Sequence, residues 1–237
     1  MGVTRDQFSQ GGYPTGSSAA FDPGEFFGIS PGTSLGTATG VGPLGGFTAG
    51  WNWQAPGTPW VVGIEGEFMF SDLRGSTSNG ESDAFGFFFP TSPFSGVSAF
   101  GTASFDEQLS SQVRDIATIT GRLGIAAGPG GQTLWYIKGG GAWASDRYSA
   151  SDVLATYDFE GLETRFGWTA GAGIEWAFSD IWSVRLEYDY YGFGTRSVNF
   201  IDNVSATVGP LDIKQDIQVI KIGVNFHPYP SGALWRW

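Results

Sequence analysis

Cysteine is absent and positive charge is scarce in this chain of 237 residues. Without cysteine there is neither a disulfide framework nor a thiolate metal site. Lysine and arginine together number 12 against 23 aspartate and glutamate residues, which gives a net charge of −11. Nucleic acid is therefore excluded as a partner, because phosphate binding requires a basic stripe.

Long apolar runs are missing as well. No segment approaches the roughly 18 apolar residues of a membrane helix, so any membrane-spanning structure has to be a closed barrel. The N-terminal segment MGVTRDQFSQGGYPTGSS also lacks the basic region and the apolar core of a secretory signal. We therefore expect an exported form of this chain to be numbered from a processed or truncated start.

Glycine and aromatic residues are abundant. The chain has 38 glycines and 16% aromatic residues but only 15% charged residues, against about 25% charged residues in soluble domains. This composition indicates a β protein with apolar surface to cover. Its length fits one domain, because all-β barrels of roughly 200 to 250 residues commonly fold as a single unit.

Apolar and polar residues alternate in seven segments of about ten residues, the length of a tilted membrane strand. The segments are 45–54, 60–70, 116–126, 134–143, 165–178, 182–191 and 217–226. Short connections at 55–59, 127–133 and 179–181 alternate with long ones at 71–115, 144–164 and 192–216. Short periplasmic turns opposite long external loops are typical of an outer-membrane barrel.

The two faces of these segments differ in chemistry. One face is aromatic and aliphatic and carries no charge, so we predict that it lies in lipid. The other face carries Glu65, Glu67, Arg122, Lys138, Glu175, Arg185, Glu187, Asp189 and Lys221. An eight-stranded barrel has a lumen that side chains fill, so we predict that these charges pair inside it. A soluble barrel would have the reverse arrangement.

Large aromatic residues concentrate at the strand ends beside the short turns. They are Trp51, Trp53, Trp60, Trp135, Trp176, Phe178, Trp182 and Phe226. Tryptophan and other aromatic residues prefer the boundary between lipid and water. We predict that these eight form the periplasmic interface girdle.

Six segments resemble, in this order, the OmpA-like outer-membrane β-barrel family, the small opacity-type or porin-like surface proteins. They are GFTAGWNWQ, WVVGIEGEFMFSDLRGS, ITGRLGIA, LWYIKGGGAW, GWTAGAGIEWAFSDIWSVRLEYDYYGFG and IKIGVNF, which lie within residues 45–226. The resemblance implies an all-β, eight-stranded antiparallel up-and-down barrel surrounded by lipid of the Gram-negative outer membrane. It implies no catalytic residues.

The first strand of that family is not recognisable here. Residues 1–44 read as an external segment rich in glycine, proline and serine, residues 45–226 as the barrel, and residues 227–237 as a tail. Three sources of an eighth strand stay open: the segment 17–29 despite Pro23, a sequence upstream of Met1, or a partner chain. We expect the segment 17–29 to close a single barrel domain over 1–237.

The sequence gives little support for a catalytic function. Proteases, deacylases and acyltransferases generally use histidine as acid or base, and the only histidine, His227, belongs to no serine or aspartate constellation that the spacing suggests. Glu187 and Asp189 share a strand face with Arg185 and are interpreted as an internal salt-bridge ladder. We expect no enzyme activity, no cofactor and no metal.

The connection 71–115 is unusually aromatic, with Phe85, Phe87, Phe88, Phe89, Phe94, Phe100 and Phe105. These residues either pack over the barrel mouth or contact a protein partner or a second copy. The leading hypothesis is a non-enzymatic barrel with a structural or surface-contact role and a charge-plugged lumen. Two alternatives are a narrow porin-like channel for small solutes and a subunit of a larger envelope assembly held through this loop.

Overall fold

The computed structural model describes residues 1–10, 34–79, 107–152, 158–201 and 207–228. Its nine strands are β1 (Gly2–Gln10), β2 (Ser34–Gly42), β3 (Leu44–Gln54), β4 (Trp60–Asn79), β5 (Glu107–Ala127), β6 (Thr133–Asp152), β7 (Asp158–Ala177), β8 (Trp182–Ile201) and β9 (Thr207–Phe226). A 3₁₀ turn, Pro129–Gly131, joins β5 to β6. No helix among these residues is long and apolar enough to cross a membrane.

The strands form one antiparallel ring. Each strand from β3 to β9 pairs with the next, β9 pairs with β1, and β1 pairs with β2. β2 and β3 are two halves of one wall strand interrupted at Pro43, because both pair with β4. Counted in this way, the eight-stranded antiparallel barrel predicted from the sequence is confirmed.

The interpretation of residues 1–44 as an external segment is wrong for Gly2–Gln10 and Ser34–Gly42. β1 closes the ring between β9 and β2. Its inward residues include Asp6 and its outward residues include Arg5, so both faces are polar and no alternation reveals the strand. The segment 17–29, expected to supply this strand, lies outside the described residues.

The strands are also longer than predicted. β4 to β9 each contain 20 or 21 residues, which is about 66 Å at roughly 3.3 Å per residue. A membrane strand needs only about 9 to 11 residues. Much of the predicted external loops is therefore barrel wall, namely 71–79, 107–115, 144–152, 158–164, 192–201 and 207–216. The seven phenylalanines of the predicted 71–115 loop lie outside the described residues.

The long extensions escaped detection because their outer surface is polar. Arg74, Arg147 and Lys214 are exposed there, so apolar residues no longer alternate with polar ones. Nearer the short turns the outer surface is an apolar belt, in which Ile64 is 65% exposed and Ile222 is 79% exposed. The eight aromatic residues predicted for the girdle are all exposed at the edge of this belt beside the short turns.

We predict that Ile64→Lys, near the middle of the belt, lowers the free energy of unfolding by about 2 to 4 kcal/mol in lipid vesicles, because it places a cation in hydrocarbon. Urea unfolding followed by tryptophan fluorescence measures the change. Thr37→Lys, on the exposed outer surface of β2, is the matched control and should have little effect. Equal effects of both substitutions would mean that the belt does not lie in lipid.

Candidate functional site in the lumen

The nine charged side chains selected from the sequence all point into the lumen and form one connected network. They come from the six strands β4 to β9, and β8 alone carries Arg185, Glu187 and Asp189. Eight are buried and Lys221 is half-buried. Strand alternation brings them together, since each occupies the inward position of its strand.

Lys138 is the centre of the network. Its Nζ lies 2.5 Å from Glu187 Oε1, 3.3 Å from Glu65 Oε1, 3.4 Å from Asp189 Oδ2 and 3.5 Å from Glu67 Oε2. These carboxylates belong to β4 and β8, whereas Lys138 belongs to β6. The ammonium group therefore joins three strands that are not neighbours in the ring.

Lys221 is the second cation in the same cage. Its Nζ lies 2.6 Å from Glu67 Oε2, 2.8 Å from Glu187 Oε1 and 2.5 Å from Asp189 Oδ2. Oxygens of Glu65, Glu67 and Glu187 lie within 4.8 Å of one another, a donor set that a hard cation could use. Lys138, Lys221 and Arg185 already pair with these three carboxylates, so the residues do not call for a metal ion.

Two arginines extend the network toward the short-turn end. Arg185 Nη1 lies 2.7 Å from Glu65 Oε2. Arg122 lies 3.4 Å from the same Glu65 oxygen and 3.2 Å from Glu175 Oε2. Its guanidinium also stacks 3.8 Å from the centre of the Tyr136 ring. Every one of the nine groups thus has at least one partner of opposite charge.

His227 lies beside a serine and a carboxylate, which the sequence analysis did not foresee. Its Nε2 is 3.1 Å from Ser183 Oγ and 3.5 Å from Glu175 Oε1. A catalytic triad requires the acid on one ring nitrogen and the serine on the other. Here both face the same nitrogen, and the Ser183 hydroxyl donates to Glu175. The arrangement does not activate a nucleophile.

The sequence offered no signal for this contact. Glu175, Ser183 and His227 are separated along the chain, and only the register of β7, β8 and β9 brings them together. Asn225 completes the group by donating to Glu175 at 2.6 Å.

An apolar layer lies inside the barrel on the outer side of the charge network. Its buried residues are Met69, Leu73, Val113, Ile116, Ala142, Ala144, Tyr191, Phe193, Ile217 and Val219. None is more than 4% exposed. The sequence analysis predicted a charged inward face and missed this layer, because inward apolar residues in these segments look like lipid-facing ones.

A second buried polar cluster lies beyond the apolar layer, where the outer surface of the wall is polar. Arg165 Nε lies 3.3 Å from Asp146 Oδ2, and Ser111 donates to Asp6 at 2.6 Å. Burial raises the pKa of Asp146 to about 7, while Arg165 opposes the shift and the neighbouring Asp6 adds to it. Burial also raises the pKa of Asp6.

Comparison with known proteins gives a family match and several relatives. The family described as outer membrane protein beta-barrel domain matches residues 7–227. The 31 kDa outer-membrane immunogenic proteins of Brucella melitensis and Brucella suis are 27% identical over 190 residues. That alignment covers 79% of this chain and 67% of each relative.

Two solved outer-membrane proteins have low similarity to the structure. The outer membrane protease OmpT of Escherichia coli is 8% identical, with a TM-score of 0.43 over 84% of this chain and 70% of that one. Neisserial surface protein A is 12% identical, with a TM-score of 0.28 over 92% and 95% of the two chains. Scores at this level carry no argument about function.

We predict that Lys138→Met lowers the free energy of unfolding by about 3 to 5 kcal/mol, because removal of one partner leaves buried carboxylates without compensation. Urea unfolding in detergent measures the loss. The control is Arg74→Met, which removes the exposed pair with Asp72 and should cost at most about 1 kcal/mol. Equal unfolding midpoints for the two variants would contradict a buried network.

A second prediction concerns pH. Because the pKa of Asp146 is raised in the folded protein, the unfolded chain releases this proton first, and stability falls as pH rises from about 4 through about 7. Asp146→Asn should reduce the difference in urea midpoint between about pH 5 and about pH 8. Asp72→Asn, at an exposed carboxylate whose pKa is lowered by the hydrogen bond from Arg74, should leave that fall in place. An unchanged pH dependence in Asp146→Asn would refute the assignment.

Proposed function

Because the chain belongs to the outer membrane protein β-barrel domain family and resides in the Gram-negative outer membrane, we propose that it is a non-enzymatic barrel with a structural and surface-contact role. The side chains inside its lumen form a plug, and their contacts connect the strands of the wall. The other function that its internal charges suggest is a narrow diffusion channel.

The observation that carries the proposal is the layered filling of the lumen. Passage of water and ions needs a continuous polar path, but an apolar layer lies between the charge network and the outer cluster. The charges of the network contact one another directly. Groups already neutralised at 2.5 to 2.8 Å have little affinity left for a passing ion, which supports a plug.

The surface-contact part of the proposal draws on the long strands. The wall continues beyond the apolar belt with a polar exterior at Arg74, Arg147 and Lys214, so the outer part of the barrel stands in water. The Brucella relatives are named as immunogenic, which supports exposure of this part outside the cell. An assembly role through the phenylalanine-rich segment remains an alternative, and its residues lie outside the described ranges.

We also propose that the protein has no enzyme activity. His227 is the only histidine, and both its neighbouring acid and its neighbouring serine face one ring nitrogen. Glu187 and Asp189 are held by lysines and lie within the plug. These contacts support structural roles for the residue types that could otherwise perform acid or base chemistry.

We expect the purified protein to give no stable conductance in planar lipid bilayers, because the apolar layer excludes water. Ile116→Ser combined with Ile217→Ser should introduce conductance, since both side chains belong to that layer. Ile119→Ser, on the lipid face of the same strand as Ile116, is the control and should stay silent. Slower gel migration after heating checks folding in each variant. Steady conductance of the unmodified protein would favour the channel.

A further inference from the structure

The upper edge of the apolar belt follows from the strand register. Phe70 of β4 is 60% exposed and lies opposite Asp115 of β5, which in turn lies opposite Ser145 of β6. The strand from Trp60 at the short-turn end to Phe70 is about 33 Å long. A tilt of roughly 40° reduces this length to about 25 Å across the membrane, the height of the apolar band of such barrels. The row Phe70, Asp115 and Ser145 therefore marks the outer boundary of the hydrocarbon.

Three arginines lie directly above this boundary on neighbouring strands. They are Arg74 of β4, Arg114 of β5 and Arg147 of β6, and all three are exposed. Arg74 and Arg147 both lie opposite Gln112 of β5, so two strand spacings, about 10 Å, separate their backbones. Their alternation with buried neighbours places both side chains on the outer surface of the wall.

A β-bulge brings Arg114 to the same surface. The residue is inserted between Val113 and Asp115 and has no partner in the ladders that β5 forms with β4 and β6. Inside the barrel, Val113 and Ile116 are both 0% exposed. Because the lumen is closed at this height, the exposed side chain of Arg114 has to lie on the outer surface. Bulges commonly redirect a side chain in this way.

Hydrogen bonds hold Arg74 in position without covering it. Its Nε donates to Asp72 Oδ1 at 2.6 Å, and Gln112 Nε2 donates to the same oxygen at 2.7 Å. The Arg74 side chain is nevertheless 70% exposed. Its contact with Asp72 uses Nε, whereas a bidentate contact with a phosphate can use the two Nη groups.

The height of the three arginines matches the headgroup layer of the membrane. This layer extends about 5 to 7 Å beyond the hydrocarbon on each side, and Arg114 and Arg147 follow the boundary row within two residues along their strands. Arginine can bury its apolar stem while its charged end stays in the polar layer. Just below, the rings of Trp143 and Phe166 lie 5.3 Å apart and are exposed, which provides apolar surface for acyl chains.

Charge distinguishes this side of the ring from the opposite side. On β4 to β6 the three arginines outnumber the two nearby aspartates, Asp72 and Asp115, although the whole chain has a net charge of −11. At the same height, the outer surface of β1 and β9 carries two cations and two acids. These are Arg5, Lys214, Asp212 and Asp216. The local excess of positive charge on β4 to β6 favours an anionic ligand there.

We propose that the outer surface of β4, β5 and β6 binds the phosphate groups of an outer-leaflet glycolipid through Arg74, Arg114 and Arg147. The outer leaflet of the Gram-negative outer membrane is built of such a phosphorylated glycolipid, lipopolysaccharide. Its acyl chains lie against the aromatic surface below the boundary while its phosphates reach the guanidinium groups. This site goes beyond the structural role of the barrel and does not depend on a plugged lumen.

Titration calorimetry with lipid A, the phosphorylated anchor of that glycolipid, tests the site on folded protein in detergent micelles. Arg74→Gln combined with Arg114→Gln and Arg147→Gln should raise the Kd at least about tenfold, because each basic residue contributes separately to binding of a charged lipid. The control combines Arg5→Gln with Lys214→Gln, which removes two cations at the same height, and its Kd should stay unchanged. An unchanged Kd in the triple variant, or an equal loss in the control, overturns the proposal.

The source of the phosphate is tested with two further ligands. Lipid A stripped of its phosphates should bind the unmodified protein as weakly as the triple variant binds intact lipid A. Equal binding of both lipids would mean that only the apolar belt holds the lipid. Inorganic phosphate should fail to displace intact lipid A, and displacement would identify a site for a free anion instead. Either contrary result overturns a lipid site.

A gain in affinity tests the same site without relying on a weakened variant. Asp115→Asn removes an acid beside Arg114 and should lower the Kd for lipid A, since the attraction between the arginines and phosphate is then less opposed. Slower gel migration after heating checks folding in every variant. A Kd that rises or stays the same in Asp115→Asn would show that charge on this surface does not govern binding, which refutes the assignment.

Discussion

Pairing of buried charge across the lumen is the interaction on which this barrel depends. The outer surface has to be apolar, so the inward face receives the charged residues of a chain that is only 15% charged. Lys138 contacts carboxylates of β4 and β8 from its position on β6. A one-residue slip of any of these strands would turn its charges outward, because side chains alternate between faces. The network therefore specifies strand register as well as contributing contacts.

The alternation of apolar and polar residues along the sequence predicted the part of the fold that lies in the membrane. Trp60, Ile64 and Phe70 mark one face of β4, and Glu65 and Glu67 mark the other, so the residue types separate inside from outside. Nothing equivalent exists in β1, where Arg5 and Asp6 point to opposite sides and are both charged. Where both faces meet polar surroundings, the sequence carries no period that distinguishes a strand from a loop.

The inside of the barrel was harder to predict for a different reason. Ile217 and Met69 are as apolar as any lipid-facing residue, yet they fill the lumen. Polarity alone cannot distinguish a residue packed in the barrel from one in hydrocarbon, because both environments exclude water. Contacts that join several strands, such as Ser183 with His227, depend on register and are visible only in three dimensions.

The length of β4 to β9 has a mechanical consequence. About half of each strand, on the order of 30 Å, stands above the apolar belt as wall that is hydrogen-bonded except between β7 and β8, whose described pairing ends at Trp168 opposite Gly192. Anything attached at its rim is held at a set height and orientation instead of on a flexible tether. A binder that docks there loses less conformational freedom on association, and the rim can change its sequence without disturbing the part of the protein embedded in lipid.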